Sequence, residues 1–156
     1  SYLLENLVVE LSPTLLDDKV LEEVREVLGP ICNVSKYFEA LSALMFMEGL
    51  DDNALGRLLD LGPTCFTLSE VHDPLRLRNQ LRSKGKLFAL ALDVNELLSC
   101  DPEHLVKKLR RVLQDAWREC AFITTQWEVP LNVELRALNE GIIKVRSFLR
   151  EVVKGF

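Results

Sequence analysis

LNVELRALNEGIIKVRSFLREVVKGF, residues 131–156, carries a near-unbroken 4-3 apolar repeat. Leu131, Leu135, Leu138, Ile142, Val145, Leu149, Val152 and Phe156 fall at spacings of 4, 3, 4, 3, 4, 3 and 4. A helix with this repeat presents one continuous apolar seam that packs lengthwise on other helices. Gly141 weakens it, at a cost of about 1 kcal/mol relative to Ala. The seam therefore reads as the closing helix of a bundle more than as a free coiled coil.

Working outward, Asp101-Pro102 opens the clearest amphipathic helix of the interior. Leu105, Leu109, Val112, Leu113, Ala116 and Cys120 share one side, and Lys107, Lys108, Arg111, Gln114, Asp115 and Arg118 the other. Ser12-Pro13 and Asp73-Pro74 repeat the same start signal, a capping side chain before a proline whose missing N–H costs nothing there. Asp93-Val94-Asn95-Glu96 reads as a capping box. The basic segment from Pro74 to about Ser83 is a further helix that ends at Gly85.

Nearer the start, residues 2–10 are short and apolar. Leu16, Val20, Val24, Val27 and Leu28 form the inner stripe of a helix that Gly29-Pro30 is expected to end. Val34, Phe38, Leu41 and Met45 then mark a third helix over 34–49, with apolar residues most of the way round. Asp51-Asp52 starts a short helix that Gly62-Pro63 breaks. Residues 64–71 are ambiguous. Lys86–Leu92 contains the compact run Leu-Phe-Ala-Leu-Ala-Leu, whose length suits strand or buried helix; its Ala and Leu content favours helix. The β-branched and aromatic residues 122–129 admit one short extended piece. These readings add up to an all-α, compact bundle of six or seven helices, one domain over 1–156, cut from a longer protein.

Composition agrees with a folded chain: 48% of residues are hydrophobic and 28% charged, so a core and a solvated surface are both available. The net charge of −5 is unevenly spread, −9 over residues 1–70 and +4 over 71–156. No apolar run approaches the roughly 20 residues that span a bilayer. The start lacks the basic region of a secretory signal. Cys32, Cys65, Cys100 and Cys120 are widely spaced, which points to buried free thiols and an intracellular, cytoplasmic or nuclear setting.

Chemical vocabulary is sparse. His72 and His104 are the only histidines, and six scattered Cys and His residues lack the paired spacing of a structural zinc site. Neither a glycine-rich phosphate loop nor a nucleophile motif is present. A Cys100–His104 pair is sterically open but carries no motif. No catalytic residue, metal or cofactor is expected, and the chain reads as non-enzymatic.

The expected function is a protein–protein interaction domain, an adaptor, scaffold or complex subunit. Its weakly marked contact residues are Phe46, Met47 and Trp127, together with the cations Arg76, Arg78, Arg82, Lys107, Lys108 and Arg111. A homo-oligomer through 131–156 is open. One alternative is nucleic-acid or anionic-lipid binding through the basic strings 76–86 and 107–111, disfavoured for nucleic acid by the acidic whole. The other is the helical portion of an enzyme whose catalytic residues lie mostly elsewhere.

Overall fold

The structure is a computed structural model that describes residues 6–11, 17–37, 41–46, 50–98, 102–125 and 133–154. It corrects the fold class. The chain is mixed α/β, built on a parallel sheet, and is not an all-α helical bundle. Strands β1 (Asn6–Leu11), β2 (Leu41–Phe46), β3 (Cys65–Leu68), β4 (Leu87–Leu92) and β5 (Cys120–Thr125) lie side by side in chain order, and every neighbouring pair is parallel. Between and after them run α1 (Asp18–Tyr37), α2 (Pro74–Lys84), α3 (Val94–Leu98), α4 (Pro102–Ala116) and α5 (Leu135–Lys154), with a 3-10 turn at Ala54–Arg57 and another at Trp117–Glu119.

The physical reason for the correction is burial on both faces. A strand inside a parallel sheet shows no apolar–polar alternation, because neither side meets water. In β4, Phe88, Leu90 and Leu92 enter the main core while Ala89 and Ala91 are buried on the opposite face. Cys65, Phe66, Thr67 and Leu68 of β3 are likewise all buried. Such runs read as helix when composition decides, and tertiary context overrides that propensity.

Three other boundaries move. Pro30 lies inside α1, on its exposed side, so the helix continues past Gly29-Pro30 to Tyr37. The carbonyl that a proline leaves unbonded is tolerable where water can reach it. The helix expected over 34–49 is the end of α1 and then β2. Leu41 and Met45 continue the helical spacing of Val34 only by coincidence. The extended piece expected near 122–129 begins earlier, as β5. Ser12-Pro13 and Trp127 fall outside the described residues.

Strand order equal to chain order, with parallel pairing, has a consequence. Right-handed crossovers then carry every connection over the same face of the sheet. The side chains agree. Leu21, Leu28 and Cys32 of α1, Leu77 and Leu81 of α2, Leu97 of α3, Leu105, Leu109 and Val112 of α4, and Leu138, Val145 and Phe148 of α5 all join one core with Leu44, Phe66, Phe88 and Leu90. The other face carries a separate small cluster, Ala43, Cys65 and Ala89, flanked by Leu41 and Leu87.

The terminal seam is rotated from its expected position. Leu138, Val145 and Phe148 are buried, whereas Leu135 is 73% exposed and Ile142 also faces solvent. Gly141 explains the rotation. A Cβ there would stand 2.6 Å from the carbonyl oxygen of Leu97, so α5 crosses α3 backbone to backbone at this glycine. Helix propensity alone makes Gly141→Ala stabilising by about 1 kcal/mol. The close approach reverses the sign, and chemical denaturation should show the Gly141→Ala chain less stable by about 1–3 kcal/mol.

Candidate functional site

The two edges of the sheet are built differently. At the amino edge, side chains lace the strand starts together. Ser42 and Thr64 exchange backbone and hydroxyl hydrogen bonds, and Leu87 N–H donates to the Thr64 carbonyl at 2.8 Å. Lys86 Nζ donates to the carbonyls of Leu61 and Pro63 at 3.1 and 2.6 Å. Burial holds its ammonium below the usual lysine range. Arg82 pairs with the buried Glu119, and Lys84 with Asp60 at 2.7 Å.

The carboxyl edge instead contains a rigid loop and a cavity. Asp52, 3% exposed, accepts from the backbone N–H groups of His72 at 2.9 Å and Asp73 at 2.8 Å. Asp73 Oδ1 then caps α2 by accepting from Arg76 N–H at 3.0 Å, with Pro74 opening the helix. Asp51 accepts from Asn53 and Ala54, and the Ala54 N–H is the main reason its carboxyl lies below the ordinary carboxylate range. His72 Nε2 stands 3.6 Å from Asp51 Oδ2 and 3.7 Å from Glu70 Oε2.

A cavity of about 290 Å³ opens between this loop and α4. Its apolar wall is Val71, Leu90 and Val112; its polar wall is Glu70, His72, His104, Lys107, Lys108 and Arg111. Glu70–His72 follows directly on the carboxyl end of β3. His104 to Arg111 belongs to the first two-thirds of α4. Arg111 donates to the His72 carbonyl at 2.7 Å and ties helix to loop. Lys108 Nζ is held by both oxygens of Glu96 at 3.0 and 2.9 Å.

The sequence-expected contact residues divide accordingly. Lys107, Lys108 and Arg111 converge on the cavity. Arg82 serves the amino edge, and Arg78 donates to the Asp115 carbonyl at 3.3 Å, binding α2 to α4. The basic string 76–86 is thus largely spent on internal contacts; Arg76 projects into solvent. The side chain of Phe46, all of Met47, and the Cys100 of the Cys100–His104 pair lie outside the described residues. Sequence reading left His104, His72 and Glu70 out of the contact set. One signal was available: His104, Lys107, Lys108 and Arg111 follow the i, i+3, i+4, i+7 spacing of a single helix face.

Of the described cysteines, Cys32 and Cys65 are buried and Cys120 is half-buried, all as free thiols. Burial pushes the Cys65 thiol up to about 12 and the Cys120 thiol up to about 11. Among the described residues, no group of three or more His, Cys, Asp or Glu side chains is arranged to hold a metal ion, and no helix is long and apolar enough to cross a membrane. No protein-family model matches the chain, and no curated protein is similar to it in sequence.

Two expectations follow. Asp52→Ala removes the shared acceptor of two loop amides, so denaturant unfolding should show a loss of about 2–3 kcal/mol, accompanied by faster exchange of the His72 and Asp73 amides. Cys65 and Cys120 should resist iodoacetamide in the native protein at a pH of about 8, where thiols of ordinary pKa react, and label readily once the chain is unfolded. Mass spectrometry of the labelled peptides reads this out.

Proposed function

We propose that the chain binds a small molecule at the carboxyl edge of its parallel sheet, in the cavity between the β3–α2 loop and α4. The observation that carries this reading is the contrast between the two edges. The amino edge is closed by interactions that only hold the fold. The carboxyl edge has a clamped loop beside a cavity with an apolar wall and convergent polar groups. In parallel βα architectures the amino face carries stability and the carboxyl face carries ligands and chemistry. That rule is an analogy of fold, and the cavity's own side chains supply the specific support. The volume lies near the lower end of small-molecule sites, roughly 300–1,000 Å³.

The proposal is of binding. The enzyme alternative loses its helical character with the corrected fold, and a reaction is not part of this reading. Nucleic acid and lipid headgroups gain least, because most of the string 76–86 is engaged internally.

Association with another protein remains a second reading, favoured by one observation. Large exposed apolar side chains gather on the first and last helices: Val27 (64%) and Val34 on α1, Leu135 and Ile143 (59%) on α5. α1 packs against β2 and α5 against α3 and α4, and the outer strands β1 and β5 each have one hydrogen-bonding edge unpaired among the described strands. A second copy of the chain offers matching edges. Its test is the solution mass: a dimer that Val27→Asp with Ile143→Asp converts to monomer supports it, and a monomer at all concentrations removes it.

For the main reading, the test is a fragment titration of the isotopically labelled chain by amide NMR. The expected shifts cluster on residues 70–72, 90 and 104–112. Scattered shifts, or shifts confined to the amino edge, would count against the site.

A further inference from the structure

We infer that the group this cavity recognises is an oxyanion, and that its ligand is a small phosphorylated molecule. This rests on the cavity being the ligand seat. Lys107 extends into it with no ion-pair partner among the described residues. An ammonium offers three donors, and all three are available for a ligand. Arg111 commits one terminal nitrogen to the His72 carbonyl, which fixes the guanidinium and leaves other N–H groups of the fork for an oxyanion. His104 sits in the first turn of a 15-residue helix, where the positive end of the helix dipole favours an anion.

Charge selects the sign of the ligand's polar group. The cavity's polar wall carries three cations on α4, Lys107, Lys108 and Arg111, against one carboxylate, Glu70. Glu96 offsets Lys108, Asp51 and Glu70 stand beside His72, and the buried Asp52 is taken up by the loop amides. The donors of Lys107 and Arg111 outnumber what a carboxylate's two oxygens use, which suits a phosphate group. The wall of Val71, Leu90 and Val112 suits an uncharged remainder, which bare phosphate lacks and an organic phosphate has.

The test titrates the labelled chain with inorganic phosphate, and with acetate at matched ionic strength, at about pH 8, where phosphate is chiefly the dianion. Lys107→Glu is run alongside; this exposed side chain supports no other group, so the fold is retained. Phosphate should shift the amides of 70–72 and 104–112. It should bind roughly tenfold more weakly to the Lys107→Glu chain. Acetate should be weaker than phosphate by a similar factor. Equal binding of the two anions, or binding indifferent to Lys107→Glu, would overturn the inference. A set of neutral fragments separates the two levels of failure. If those fragments shift the same amides while phosphate does not, the seat stands and the anion inference falls. If neither shifts them, both fall.

Discussion

Everything in this structure depends on β4 being dry on both sides. Phe88, Leu90 and Leu92 project into the helical layer, Ala89 and Ala91 lie buried on the other face, and β3 and β5 flank the strand through parallel ladders, the one to β5 shifting register between Phe88 and Ala89. Large side chains on one face and small ones on the other assign the faces unequal roles. The large-residue face collects α1 through α5 into one core. Burying a side chain such as Leu90 or Phe88 contributes about 1.5–3 kcal/mol, so this layer supplies most of the driving force. The small-residue face is thin, and its described apolar cluster contains strand residues only.

Chain-ordered parallel strands also polarise the molecule along the strand direction. Every strand starts at one edge and finishes at the other. The helices return the chain to the starting edge, so α2 ends where Arg82 and Lys84 meet Glu119 and Asp60. Every loop that leaves a strand opens at the opposite edge. There the buried Asp52 carboxylate holds the loop after β3 still, and α4 stands across from it with His104, Lys107 and Arg111. Fixing loop and helix in advance reduces the ordering that a ligand would otherwise have to impose. The same polarity explains why two basic strings that look alike in the sequence have separate fates, one joining helices and edge, the other facing a cavity.

How much of this was legible depended on whether an element meets water. α4 alternates sharply between Leu105, Leu109, Val112 and Leu113 on one side and Lys107, Arg110, Arg111 and Gln114 on the other, and the structure places a helix there as far as Ala116; Cys120, read as the end of the same apolar side, opens β5 instead. The Asp73-Pro74 cap and the stop at Gly85, whose φ is 61°, are local and were readable for that reason. β3 and β4 were not, since burial on both faces erases the alternation that marks a strand. β2 was hidden because its apolar residues extend the helical spacing that ends α1. In α5 the repeat announced a helix correctly, but its packed face was set by a close approach to Leu97 that no repeat encodes. Of the site, the cations 107, 108 and 111 were visible as a string. Their partners Glu70 and His72 come from a loop more than thirty residues away, and only the β3–β4 pairing and the packing of α2 on α4 bring them together.

The most direct measurement of the central claim is the backbone connectivity of residues 87–92 by NMR in the full chain. The account predicts strong sequential Hα–HN contacts through this segment, with cross-strand contacts linking Phe66 to Phe88 and Leu90 to Ile123. Hα–HN contacts from i to i+3 across 87–92, without those cross-strand contacts, would mean that the segment is helical. The parallel sheet and the edge on which the site is built would then both be wrong.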